Sequence, residues 1–170
     1  RQGDHNKPLV LDGDKLTLKS LLLNKNDFSD FTLSDEGLTI NTDEDTFELE
    51  IHTEIDPKNN KALEGLYLSG GAYCTQCEAE GFRRITYFMD RPDILAVYTV
   101  TVVGDTDLPM LLSNGNPVDK GQTDDGKHFV TWHDPHPKPS YLFALVAGDF
   151  DLLSDTYTTM SGKEVALELY

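Results

Sequence analysis

Cysteine is scarce in this sequence, with two residues in 170. Two thiols cannot supply a disulfide framework for a chain of this length, so a reducing, cytoplasmic setting is the default. Basic residues are also few: 14 Lys and Arg stand against 30 Asp and Glu, a formal net charge of −16. A field of that sign repels phosphate backbones and anionic lipid, so neither nucleic acid nor a membrane surface is expected as a partner. It favours cationic ligands, although solubility alone accounts for it. No apolar run approaches the roughly 20 residues that cross a bilayer. Residues 1–8 are polar and contain no signal-peptide h-region.

Several chemical signatures are missing too. There is no H-E-x-x-H, no G-x-S-x-G and no phosphate-binding glycine loop. Repeats, low-complexity stretches and a convincing internal linker are absent as well. The chain starts at Arg1 without Met and ends at Tyr170 inside an alternating pattern, so a piece of a larger protein is expected.

What remains is an ordinary globular composition, 38% hydrophobic and 26% charged, of a size for one domain with its own core. The dominant period is two, the mark of half-buried strands. In residues 46–55, Phe47, Leu49, Ile51 and Ile55 share one face, opposite Glu48, Glu50, His52 and Glu54. Residues 16–22, 38–40, 96–103, 128–132 and 165–169 alternate in the same way. Residues 141–147 form a continuous apolar run that suits a strand covered on both faces. Turn residues separate these segments, at 35–37, 56–57, 69–71, 113–115 and 125–126. Only residues 82–88 hint at helical spacing. The proline-rich residues 133–139 read as a stiff extended connection. The expected fold is therefore mostly β, an antiparallel, saddle-shaped β-sandwich over residues 1–170.

Three groups of side chains invite a chemical reading. Cys74 and Cys77 form a lone C-x-x-C, but no amphipathic helix follows to stabilise a thiolate, and two small buried residues explain them as well. Pairing them with His133 and His136 would assemble a Cys₂His₂ zinc set, although the pairs are remote in sequence. His5, His52 and His128 are isolated and suit surface or packing. Residues 76–84 gather Gln76, Glu78, Glu80, Arg83 and Arg84 inside an apolar neighbourhood. On composition alone that stretch reads first as a salt-bridged loop.

The string Gln-Cys-Glu-Ala-Glu-Gly-Phe-Arg at 76–83, with Asp-Arg-Pro-Asp at 90–93, resembles the bacterial aminopeptidase N family of gluzincin zinc metallopeptidases. The likeness continues at residues 111–116, 137–139, 141–150 and 161–170, and so spans nearly the whole chain. It implies the N-terminal saddle-shaped β domain of a broad-specificity enzyme that removes amino-terminal residues from peptides. The thermolysin-like catalytic domain, with the zinc ligands and the general base, is then expected after Tyr170. The resemblance also implies that Glu78 binds the α-amino group of the substrate and that Gln76 lines the space for its first side chain. Glu80 and Arg83 would hold the loop, and the cysteines would have neither a redox nor a zinc role. No catalytic residue, no metal ligand and no zinc are expected in this chain, whose partners would be a peptide N-terminus and its own catalytic domain. A stand-alone β-sandwich binding module is the alternative.

Overall fold

The computed structural model describes residues 7–170; His5 lies outside them. Among the described residues the regular structure is strand apart from two single 3-10 turns, and every strand pairing is antiparallel. The mostly β expectation holds.

The first half contains β1 (Leu9–Asp12), β2 (Thr17–Leu23), β3 (Asn26–Asp27), β4 (Phe31–Ser34), β5 (Gly37–Ile40) and β6 (Leu49–Glu54). They form two three-stranded sheets, ordered β1-β5-β4 and β3-β2-β6. Leu11, Leu38 and Ile40 from the first sheet and Leu21 from the second bury against one another and Tyr87. The alternation expected for residues 46–55 is visible in β6, where Leu49 and Ile51 pack inward while Glu50, His52 and Glu54 face solvent. In β2 it breaks phase. A register shift between Leu18 and Ser20 places Leu18 and then Leu21 in the core, with Lys19 exposed. A bulge adds one residue to one strand, so an uninterrupted period of two across 16–22 misses the switch.

The second half contains β7 (Gly65–Ser69), β8 (Ala72–Gln76), β9 (Ala96–Gly104), β10 (Met110–Ser113), β11 (Asn116–Gln122), β12 (His128–Lys138) and β13 (Leu145–Gly148). The sheets are β10-β13-β8-β7 and β11-β12-β9. Val102, Leu111 and Ala147 fill the space between them, and the Trp132 indole nitrogen donates to the Leu111 carbonyl at 2.9 Å. Two expectations change here. Residues 141–147 are not one strand: a 3-10 turn occupies Ser140–Leu142, and only Leu145–Gly148 joins the ladder. An apolar run guarantees neither a strand nor burial on both faces: Phe143 is buried, whereas Leu142 and Ala144 are exposed. The proline-rich stretch is not a connection, because β12 runs through it to Lys138. Its pairing with β9 is irregular between Asp134 and Lys138, so Pro135 and Pro137 sit where the ladder asks for no N–H. The helical hint at 82–88 shrinks to a 3-10 turn, Phe82–Arg84.

The last hairpin, β14 (Leu153–Thr158) and β15 (Glu164–Leu169), stands apart. Every residue of β14 is exposed, and in β15 only Val165 is half-buried. The alternation expected at 165–169 forms its strand without a covered face. An isolated two-stranded ribbon is marginal in water, and this one carries exposed Leu153, Tyr157, Met160 and Leu169.

Candidate functional site in the loop after strand β8

Strand β8 ends at Gln76, and the chain turns sharply between Cys77 and Arg84. Two backbone hydrogen bonds close the turn: the Gly81 N–H donates to the Cys77 carbonyl at 2.9 Å, and the Arg84 N–H to the Gly81 carbonyl at 3.1 Å. A side chain at position 81 has no room. A Cβ there would stand 2.2 Å from the Gln76 carbonyl oxygen and 3.0 Å from both the Cys77 Cα and the Gly65 nitrogen. The turn is thus pressed onto the start of β7.

The loop has a buried side and an exposed side. Cys77 and Phe82 point inward, at 3% and 6% exposure, whereas Glu78, Ala79 and Glu80 are exposed. Phe82 meets Phe88, Phe143 and Tyr98 edge-on, with ring centroids 5.1, 5.0 and 6.2 Å away. Such edge-to-face pairs add to the burial of the rings. Burial, reinforced by the charge of Asp90, pushes the Cys77 thiol up to about 12. That makes it an inert core residue, the opposite of a redox thiolate.

Behind the loop lies a buried ionic cluster. Asp90 is 2% exposed, and its Oδ2 accepts from the Arg83 backbone N–H at 3.1 Å and from Arg83 Nε at 3.0 Å. Its Oδ1 accepts from the Ser140 hydroxyl at 2.5 Å, and its carbonyl from Arg83 Nη2 at 3.0 Å. The Asp90 N–H donates to Asp12, which also lies 3.7 Å from the Arg83 guanidinium. Burial works against the Arg83 charge, but the hydrogen bond to Asp90 and the neighbouring carboxylates outweigh it and hold the pKa above the ordinary arginine value. Arg84 pairs with Asp14 at 2.7 Å and Glu64 at 3.3 Å.

The structure brings Gln76 and Glu78 together. Gln76 Nε2 donates to the Glu78 carbonyl at 3.1 Å, which leaves its amide oxygen free to accept. The Glu78 carboxylate makes no hydrogen bond or ion pair among the described residues, whereas Glu80 lies 3.6 Å from Arg83. The zinc pairing of the cysteines with His133 and His136 is not assembled. Cys77 is buried in the aromatic cluster, and His133 Nδ1 is engaged by the Thr99 hydroxyl at 2.9 Å. Among the described residues, no three His, Cys, Asp or Glu side chains are grouped to hold a metal ion, so they do not fit a zinc centre. Asp90, Ser140 and Asp12 escaped sequence reasoning. Their one trace was the Asp-Arg-Pro-Asp stretch at 90–93, which carries no sign of what Asp90 binds.

Residues 7–142 match the model of the Peptidase M1 N-terminal domain. The chain belongs to that family. Aminopeptidase N of Caulobacter vibrioides is 55% identical over the whole of this chain, which corresponds to 20% of that relative. This member of the M1 N-terminal domain family thus spans about a fifth of the length of the curated relatives it matches. The structure of Legionella pneumophila aminopeptidase A in complex with aspartic acid superposes with a TM-score of 0.92 at 42% identity, covering 98% of this chain and 20% of that one. The M1 zinc metallopeptidase of Deinococcus radiodurans, an E323A mutant bound to a Tyr-Ser-Ala substrate, shares the fold at 18% identity, with a TM-score of 0.77 over 96% of this chain and 40% of that one.

Proposed function

We propose that this domain is the substrate-recognition element of a broad-specificity zinc aminopeptidase and that Glu78 binds the free α-amino group of the peptide. The observation that carries the reading is the unpaired, exposed Glu78 carboxylate on a turn whose other side is buried and hydrogen-bonded. An α-ammonium has a pKa near 8 and is largely charged at neutral pH. A carboxylate about 3 Å away forms a charge-assisted hydrogen bond with it, stronger once water is excluded. Holding the amino end at a fixed place sets which peptide bond meets the reacting group, so cleavage is confined to the first residue. Gln76, hydrogen-bonded to the loop it precedes, lines the space for the first side chain.

The catalytic domain, with the zinc ligands, belongs to the remainder of the longer protein, and the 170 residues alone hydrolyse nothing. The exposed hairpin β14–β15, with Leu153, Tyr157, Leu167 and Leu169 uncovered, supports a neighbour of that kind, since a lone ribbon lacks the partner that would stabilise it. A cytoplasmic setting is part of the same proposal, in keeping with two free thiols.

The test is Glu78→Gln in the full-length enzyme. The substitution keeps the shape and removes the charge, so KM for substrates with a free amino terminus should rise by roughly tenfold or more while zinc content stays unchanged. Kinetics equal to wild type would sink the assignment.

A further inference from the structure

The recognition loop is held from behind by one buried carboxylate. Asp90 joins three pieces of chain that are distant in sequence: the loop, through the backbone and side chain of Arg83; the turn that opens at Ser140; and the end of β1, through Asp12. An antiparallel bridge between Asp12 and Phe88 fixes the same junction. Removing an ionised group from water is costly unless its lone pairs are satisfied, and here Arg83 and Ser140 satisfy them. Arg83 cannot shift without leaving Asp90 unpaired in the interior. Since the Arg84 N–H closes onto Gly81, and Gly81 onto Cys77, the restraint passes directly to the backbone that carries Glu78.

We propose that Asp90 is a positioning residue for substrate binding, acting through Arg83 and Ser140 to hold Glu78 where it meets the α-ammonium. This rests on the role given to Glu78 above. Asp90 touches no substrate. Its contribution is to stop the exposed turn from sampling placements in which the Glu78 carboxylate is out of reach, and a displacement of about 1 Å at such a site is enough to cost large factors in kcat/KM.

A double-mutant cycle in the full-length enzyme separates positioning from simple support of the fold. KM and kcat for an alanine anilide are measured for wild type, Asp90→Asn, Glu78→Gln and the double variant, with zinc content determined for each. Asp90→Asn removes the charge that pairs Arg83 and should raise KM roughly tenfold with kcat little changed. The same substitution should have almost no effect when Glu78→Gln has already removed the group being positioned. Ser140→Ala deletes only one bond to Asp90 and gives a milder KM effect with the same dependence on Glu78, which keeps the test available if Asp90→Asn does not fold. Equal effects in both backgrounds, or no effect in either, overturn the proposal while leaving Glu78 in its role. Wild-type kinetics for Glu78→Gln alone would remove the role of Glu78 and this inference with it.

Discussion

Gly81→Ala is the smallest change that challenges the loop. Gly81 has φ −83° and ψ −17°, a conformation open to alanine, so backbone strain contributes nothing. The obstacle is space. The new methyl would meet the Gln76 carbonyl oxygen at 2.2 Å, more than 1 Å inside the ~3.5 Å of comfortable non-bonded contact. Its other close neighbours, the Cys77 Cα and the Gly65 nitrogen at 3.0 Å, are also backbone and cannot rotate away. Forcing a methylene-sized group into a packed interior costs about 1–3 kcal/mol. Against this, replacing glycine restricts the unfolded chain and returns about 0.4–1 kcal/mol. A net loss of about 1–2 kcal/mol follows, and with a slope of about 1–3 kcal/mol/M the urea midpoint of this chain should fall by roughly 1 M. Gly126→Ala is the matched control. Gly126 sits at φ +84° with nothing within 4 Å of a new Cβ, so it incurs left-handed strain of about 1 kcal/mol and no clash. In the full-length enzyme only Gly81→Ala should also raise KM, because only it moves the segment that carries Glu78. A Gly81→Ala midpoint at or above wild type would refute the close packing of this turn.

Two further predictions concern the core behind the loop. Among the described residues the buried Tyr98 hydroxyl has no hydrogen-bond partner, so Tyr98→Phe should leave stability unchanged or raise it by up to about 1 kcal/mol; a clear loss in urea denaturation would mean that the oxygen is bonded after all. Burial and the Asp90 charge lift the Cys77 thiol from 9.0 to about 12, and the same two causes, with Cys77 added, lift the Tyr98 phenol from 10.0 to about 12. In that window the folded chain keeps protons that the unfolded chain has released, so the contribution of these two groups is constant below pH 9 and stability should decline as the pH climbs from 9 to about 12. Melting temperatures across that range check the sign, and Cys77→Ala should flatten the decline; stability that increases with pH contradicts it.

The parts of the fold that were legible are those where one local rule decides the outcome. β6 announces itself because Leu49 and Ile51 alternate with charged residues, and burial of one face demands such a pattern. The strands that resisted are those whose fate depends on partners. β11, Asn116–Gln122, has an almost wholly exposed sequence and becomes a strand only because β12 offers it a ladder. The switch of face in β2 comes from a register shift, which no single-strand pattern encodes. Glu78 and Gln76 were singled out, as the proposed site, only through a string of residues that resembles a family, and periodicity would not have separated them from any exposed acidic loop. Asp90 was invisible for a further reason. Its partners Arg83, Ser140 and Asp12 stand 7, 50 and 78 residues away, and a buried polar cluster is defined by who closes it, not by local composition.

Glu78 and Asp90 are carboxylates twelve residues apart for which opposite tasks are proposed, and the difference is in their surroundings. Asp90 is enclosed, and every lone pair aimed at a donor makes it a fixed point: moving it would leave Arg83 charged in the interior. Glu78 is exposed, and its carboxylate has no hydrogen-bond or ion-pair partner among the described residues. A group in that state is free to exchange water for a cationic ligand without first breaking an internal ion pair, so none of the binding energy is spent on rearrangement. Had Glu78 been paired with Arg83 or Arg84, the α-ammonium would have had to displace a guanidinium. The structure directs those two cations elsewhere, Arg83 to Asp90, Asp12 and Glu80, and Arg84 to Asp14 and Glu64. In a loop of mixed charge, the pairing behind the turn is therefore what keeps one carboxylate available in front of it.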